Sequence, residues 1–204
     1  MGKTHTVTQL LRLMRASSDL RCAGMKPICC GDRRDAELLL AAGADGLTID
    51  DINPVWLRTP AAPFVAAQVE ETNIDIDRII IAFKALHKRV DNVFVEGVGG
   101  WLVPIQADYF VSDLAVALNL PVLVVAQNRL GCLNHTALTV QSVRDYGLDC
   151  VGVALNTLQD SVDIAVATNN DILQQILDVP ILSELTEKME ILPPEWRAVV
   201  HQPE

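Results

Sequence analysis

The chain has 204 residues, half of them hydrophobic, and a formal net charge of −10. That size and apolar content suit one domain with a full core, and the acidic balance argues against nucleic acid or an anionic membrane as partner. No apolar run reaches the roughly 18 residues needed to span a bilayer, and the opening segment lacks a signal-peptide core, so the sequence reads as cytoplasmic.

A helix is predicted over 4–16, then a strand over 23–30 and a helix over 35–42. The stretch "DDINPVWLRTPAAPFVAAQ" carries Pro54, Pro60 and Pro63 without a clear period, and reads as a long ordered loop or lid. Next comes a helix over 75–90, in which Ile76, Ile79, Ile80, Phe83, Leu86 and Val90 form one apolar stripe. Strands at 92–97, 121–126, 150–156 and 179–185 alternate with helices at 108–119, 134–146 and 161–177. Several strands are almost wholly apolar, as expected where helices cover both faces of a parallel sheet. The expected architecture is a single α/β domain over residues 1–204, with a doubly wound, mostly parallel sheet. Cys22, Cys29, Cys30, Cys132 and Cys150 are odd in number and lack C-x-x-C spacing, which predicts reduced thiols.

Doubly wound sheets bind ligands at the carboxyl ends of their strands. The unusual residues fall there: Lys26 to Cys30, Glu96 to Gly100, Gln127 to Asn134, and Asn156. Gly2, Lys3 and Thr4 match the last three letters of a phosphate-binding loop, in which Lys and Thr reach the terminal phosphates and Mg²⁺. The alternative is an ordinary N-terminus with Thr4 capping the first helix. In "VFVEGVGGWLVP" a strand delivers Glu96 as a candidate Mg²⁺ ligand, and Gly97, Gly99 and Gly100 let the backbone approach a ligand. A glycine turn with a surface Glu is the plainer alternative. Lys26 suits an anionic transition state as a point charge, while Asp35 is either a second metal ligand or a helix N-terminal acid. In "NRLGCLNHTALTV" a loop enters the helix expected over 134–146, with Asn134 as its expected N-cap and the N–H groups of Leu133 to Thr136 forming a carboxylate site.

Together "GKT", "KPICCG", "DAELL", "INP", "TPAAPFVAA", "VFVEGVGGWLVP", "RLGCLNHTALT" and "GVALNT" resemble dethiobiotin synthases, a family of the phosphate-loop NTPase superfamily. The resemblance runs from Gly2 to about Glu184. It implies ATP-dependent formation of dethiobiotin from 7,8-diaminopelargonate and CO2, with Mg²⁺ as cofactor. Lys3 would contact the β/γ-phosphates, Thr4, Asp35 and Glu96 would organise Mg²⁺, and Lys26 would stabilise a carbamate and the charge of phosphoryl transfer. Gly97, Val98 and Gly99 would approach the nucleotide or carbamate, and Asn156 with Thr157 would recognise adenine. Family members are homodimers holding the substrate carboxylate across the interface, a role that would fall to Cys132, Leu133 and Asn134.

The sequence departs from the family in several places. Cys30 stands where Ser or Thr usually touches substrate, "VPILSELTE" lacks a Gly-x-x-Pro, and the segment between Gly31 and Asp35 is short. The family also carries a strand and a longer loop before Gly-Lys-Thr. The expectation is therefore an N-terminally shortened synthase, with a non-catalytic nucleotide- or ligand-binding relative as the alternative.

Overall fold

Helix α1 (Lys3–Ser17) is the first element of the computed structural model, which describes residues 2–157 and 163–200. Leu10, Leu11, Leu13 and Met14 on this helix are buried, their spacing building one apolar face. One structural unit comprises Val7–Leu118, and another joins the first residues through Thr6 to the chain from Asn119 onward.

In the Val7–Leu118 unit, β1 (Cys22–Met25) pairs in parallel with β4 (Asn92–Val95), Cys22 opposite Asn92 and Met25 opposite Val95. A second parallel pair joins β2 (Ile28–Cys30) to β3 (Val55–Leu57), and β5 (Pro104–Gln106) runs antiparallel to β6 (Tyr109–Phe110). Helices α2 (Arg34–Ala42), α3 (Ile49–Ile52), α4 (Pro63–Val69), α5 (Ile76–His87) and α6 (Val111–Leu118) complete it. At Gly24 of β1 an added Cβ would lie 2.9 Å from Leu39 Cδ2 of α2 and 3.1 Å from Leu11 Cδ1 of α1. Both helices thus close on the strand where it has no side chain. On α5 the predicted stripe faces inward: Ile79 and Leu86 are buried, and Val90 just beyond the helix is buried with them.

Two segments near the strand ends fold differently from expectation. The strand expected over 23–30 is broken at Lys26-Pro27, because Pro27 has no N–H for a ladder and the pairing partner changes from β4 to β3. The expected lid over 50–68 is instead α3, β3 and α4. Thr48 caps α3 in a reciprocal box with Asp51. Pro63 opens α4, where its missing N–H leaves no helical bond unmade.

The other unit holds a parallel sheet in the order β7 (Val122–Gln127), β8 (Cys150–Asn156), β9 (Ile181–Leu182). Helices α7 (Cys132–Asp145), α8 (Ile164–Ile176) and α9 (Pro194–Val200) accompany it. Val124, Val140, Val153 and Val179 form one core cluster, and Cys132, Leu155 and Leu173 another. Residues 161 and 162 of the expected helix lie outside the described residues. The sequence reading has no helix at α9, which the packing of Trp196 explains: this side chain is fully buried and its indole N–H donates to the Ser183 carbonyl at 2.9 Å. The expected α/β class holds, with helices alternating with mostly parallel strands in a manner consistent with a phosphate-loop NTPase-like fold. Among the described residues, no helix is long and apolar enough to cross a membrane.

Candidate functional site

Parallel register places two site residues side by side. Met25 and Val95 are the last paired residues of β1 and β4, so Lys26 and Glu96 leave adjacent strands at the same level. The Glu96 N–H donates to the Met25 carbonyl at 2.8 Å and extends that register by one step. Asp35 comes from a third element, the first turn of α2. Lys26 Nζ donates to Glu96 Oε1 at 2.6 Å and to Asp35 Oδ2 at 2.8 Å.

The three side chains differ in burial. Lys26 and Glu96 are 5% and 2% exposed, whereas Asp35 is 46% exposed. The cluster is therefore a buried ion pair with a carboxylate at its open side. Burial alone pushes the Lys26 ammonium down, but the charges and hydrogen bonds of Glu96 and Asp35 outweigh it and the net shift is upward. Lys26 is thus a fixed cation, suited to electrostatic work rather than to proton abstraction. Two carboxylates within reach of one atom also fit a Mg²⁺ ion, which takes one or two protein carboxylates and fills its shell with water and phosphate oxygens. Among the described residues no group of three or more His, Cys, Asp or Glu forms a self-sufficient metal cage.

After Glu96 the chain turns through Gly97, Val98 and Gly99. Gly99 has φ +66°, and an added Cβ would lie 2.8 Å from Val103 Cγ2, so both backbone conformation and space exclude a side chain. Cys30 ends β2 and is partly exposed. Burial, helped by Cys29 and Glu70, pushes its thiol up to about 11, leaving it a neutral, weak hydrogen-bond donor.

In the other unit, Lys3 and Thr4 lie in the first turn of α1, directly after Gly2. The Asn156 amide donates to Thr6 Oγ1 at 3.1 Å and to the Gly2 carbonyl at 3.3 Å, so it also braces this turn. The Thr157 N–H donates to Glu184 Oε2 at 3.0 Å. Asn128 and Asn169 form a buried pair, Asn169 Nδ2 donating to Asn128 Oδ1 at 2.8 Å and to the Arg129 carbonyl at 3.1 Å.

The N-cap of α7 is Gly131 at φ +88°, not Asn134. Left-handed backbone at Gly131 starts the helix earlier, which places Cys132, Leu133 and Asn134 in its first turn. The Cys132 N–H donates to the Arg129 carbonyl and the His135 N–H to the Gly131 carbonyl, so His135 is not available to the expected carboxylate site. Arg33, Asn169 and Glu184 carry no signal in the sequence, whereas Asn53 is the middle of the "INP" motif and Asn128 falls within the strand-end run from Gln127 to Asn134.

A family model described as an AAA domain matches residues 1–195. The ATP-dependent dethiobiotin synthetase BioD of Akkermansia muciniphila is 43% identical over 185 residues, covering 91% of this chain and 86% of that protein. The protein of the same name from Aromatoleum aromaticum is 39% identical over 191 residues, covering 89% and 84%. That of Bacillus subtilis is 34% identical over 188 residues, covering 89% and 80%. With similarity of this extent along nearly the whole chain, the protein belongs to the ATP-dependent dethiobiotin synthetase family.

Proposed function

We propose that the chain, with residues 1–204 acting as one catalytic domain in the cytosol, closes the ureido ring of dethiobiotin from 7,8-diaminopelargonate, CO2 and ATP, releasing ADP and phosphate. The observation that carries this reading is the buried Lys26 ammonium shared by Glu96 and Asp35. One substrate amine adds to CO2 and loses a proton, giving a carbamate. A carbamate oxygen then displaces ADP from the γ-phosphate, and the second amine attacks the carbamoyl carbon, loses its proton and expels phosphate. Negative charge accumulates on the carbamate and the transferring phosphoryl group, and a preorganised cation with a raised pKa supports both without changing protonation state.

Lys3 takes the β/γ-phosphates with the Gly2 backbone, and Asn156 and Thr157 take adenine. Gly97, Val98 and Gly99 present backbone to the nucleotide or carbamate, and Cys30 touches the substrate. Thr4, Asp35 and Glu96 would hold Mg²⁺, which when bound neutralises phosphate charge. The protein acts as a homodimer, with Cys132, Leu133 and Asn134 receiving the substrate carboxylate across the interface. Phosphate release measured with each component omitted tests this reading: release requiring ATP, diaminopelargonate and bicarbonate together is expected. ATP hydrolysis indifferent to diaminopelargonate would overturn it.

A further inference from the structure

We propose that Asn53 is a positioning residue for Lys26, gripping the Lys26 main chain so that its ammonium meets Glu96 and Asp35. The proposal rests on the reading of Lys26 as a catalytic residue. Lys26 lies one step beyond the last register pair of β1 and is followed by Pro27, which has no N–H, so the strand ladder ends where the catalytic side chain begins. Contacts from the end of α3 take over. The Lys26 N–H donates to the Ile52 carbonyl at 2.9 Å, and Asn53 Nδ2 donates to the Lys26 carbonyl at 2.7 Å. Both faces of the Lys26 main chain are thus held by two consecutive residues.

Asn53 is itself immobilised. It is buried, its Nδ2 also donates to the Val55 carbonyl at 3.0 Å, and its Oδ1 accepts from Arg33 Nε at 2.9 Å. Arg33 Nη2 adds bonds to the Asn53 carbonyl at 3.0 Å and to Asp50 Oδ1 at 2.9 Å. The Arg33 guanidinium lies 5.2 Å from the Trp56 ring centroid, and the Trp56 indole N–H donates to the Gly31 carbonyl at 2.8 Å. Both Nδ2 hydrogens are committed within the protein, Oδ1 is held by Arg33, and the side chain is buried, which favours orientation over direct substrate contact as its role. Small displacements of a reacting group cost on the order of a hundredfold in rate, so holding one peptide plane has a catalytic consequence.

Asn53→Asp separates this role from simple filling of space. The variant keeps the Arg33 bond but replaces the donor facing the Lys26 carbonyl with an acceptor. Two readouts are taken on the full chain: the Nζ–H resonance of Lys26 in ¹⁵N-lysine-labelled protein, assigned by its loss in Lys26→Arg, and phosphate release with kcat separated from the KM for ATP. The expected result is loss or broadening of the Lys26 signal and a fall in kcat of about tenfold or more, with the KM for ATP within about twofold. The same change in a Lys26→Met background is expected to cause no further fall. An intact Lys26 signal with wild-type kcat, or an equal fall in the Lys26→Met background, would overturn the proposal. Should Asn53→Asp not fold, Arg33→Ala keeps Asn53 and removes its brace. It is expected to broaden the same resonance, and an unbroadened one would overturn the proposal. If the wild-type chain releases no phosphate, the functional reading fails while the resonance still decides the positioning role.

Discussion

Lys26 and Glu96, 70 positions apart in sequence, meet at 2.6 Å because they are the first residues past two parallel strands paired in register. Their contact is a property of the strand ladder, with side-chain reach supplying only the final bond. Removing one partner of a buried ion pair leaves an uncompensated charge, which costs about 3–5 kcal/mol. Glu96→Ala is therefore expected to lose stability in that range in urea unfolding. The double change Lys26→Met with Glu96→Leu should recover most of the stability while leaving only a small residual turnover.

The upward shift at Lys26 also sets a pH window. A group whose folded pKa is raised contributes stability that is fully present below its unfolded value of 10.5 and is lost as pH rises through the folded value. The stability difference between wild type and the double variant Lys26→Met with Glu96→Leu should accordingly stay flat from neutral pH to about 10 and shrink above it. Unfolding midpoints of both proteins across that range check this.

Asp51 provides the opposite sign. Burial raises its pKa, but the hydrogen bonds from Thr48 and the neighbouring Arg89 hold it below the usual carboxylate value. Its stabilising contribution is present above the unfolded value of 3.8 and is lost as pH falls through the folded one. Thr48→Ala should cost about 1 kcal/mol at pH 7 through loss of the cap. The gap between wild type and Asp51→Asn should close as unfolding is measured at progressively lower pH.

Cys30 should react poorly with alkylating agents. With its thiol raised from 9.0 to about 11, its thiolate fraction at pH 8 is on the order of a hundredfold below that of an unperturbed cysteine. Mass-resolved iodoacetamide labelling across pH 7 to 11 should show the Cys30 rate rising late. Cys30→Ser supplies a stronger donor and should lower the KM for diaminopelargonate about two- to tenfold, the range of one modest hydrogen bond.

Gly99→Ala is expected to damage the loop after β4. The substitution forces an L side chain into φ +66° and against Val103 Cγ2 at 2.8 Å, at a cost of about 1–3 kcal/mol. Thermal unfolding measures that cost. Comparing it with the phosphate-release rate shows whether the loop also matters to turnover.

The helical period was legible in the sequence where one apolar face dominates, as along α5, and a buried strand was legible where an apolar run is continuous, as along β8. So were the chemistry-bearing residues at strand ends. The segment from Asp50 to Gln68 was not legible as α3, β3 and α4 because these elements are short: a four-residue helix and a three-residue strand leave too few repeats for a period. The junction at Lys26-Pro27 was hidden for a different reason, since an apolar run does not show which strand pairs with which part of it. Asn53 illustrates the limit most clearly. Its partners are a carbonyl and a guanidinium 27 and 20 positions away, and bonds from a side chain to distant backbone leave no pattern in composition or spacing.

The three tryptophans are placed so that each unit carries its own optical reporter. Trp196 is 0% exposed among the elements after Asn119, whereas Trp56 in the Val7–Leu118 unit is 44% exposed with two guanidinium groups over its ring. Trp196 emission should accordingly be blue-shifted and shielded from acrylamide, and Trp56 emission should lie to the red and be open to quenching. In a Trp101→Phe background these two bands separate local opening of one unit from loss of the whole fold, without any attached dye.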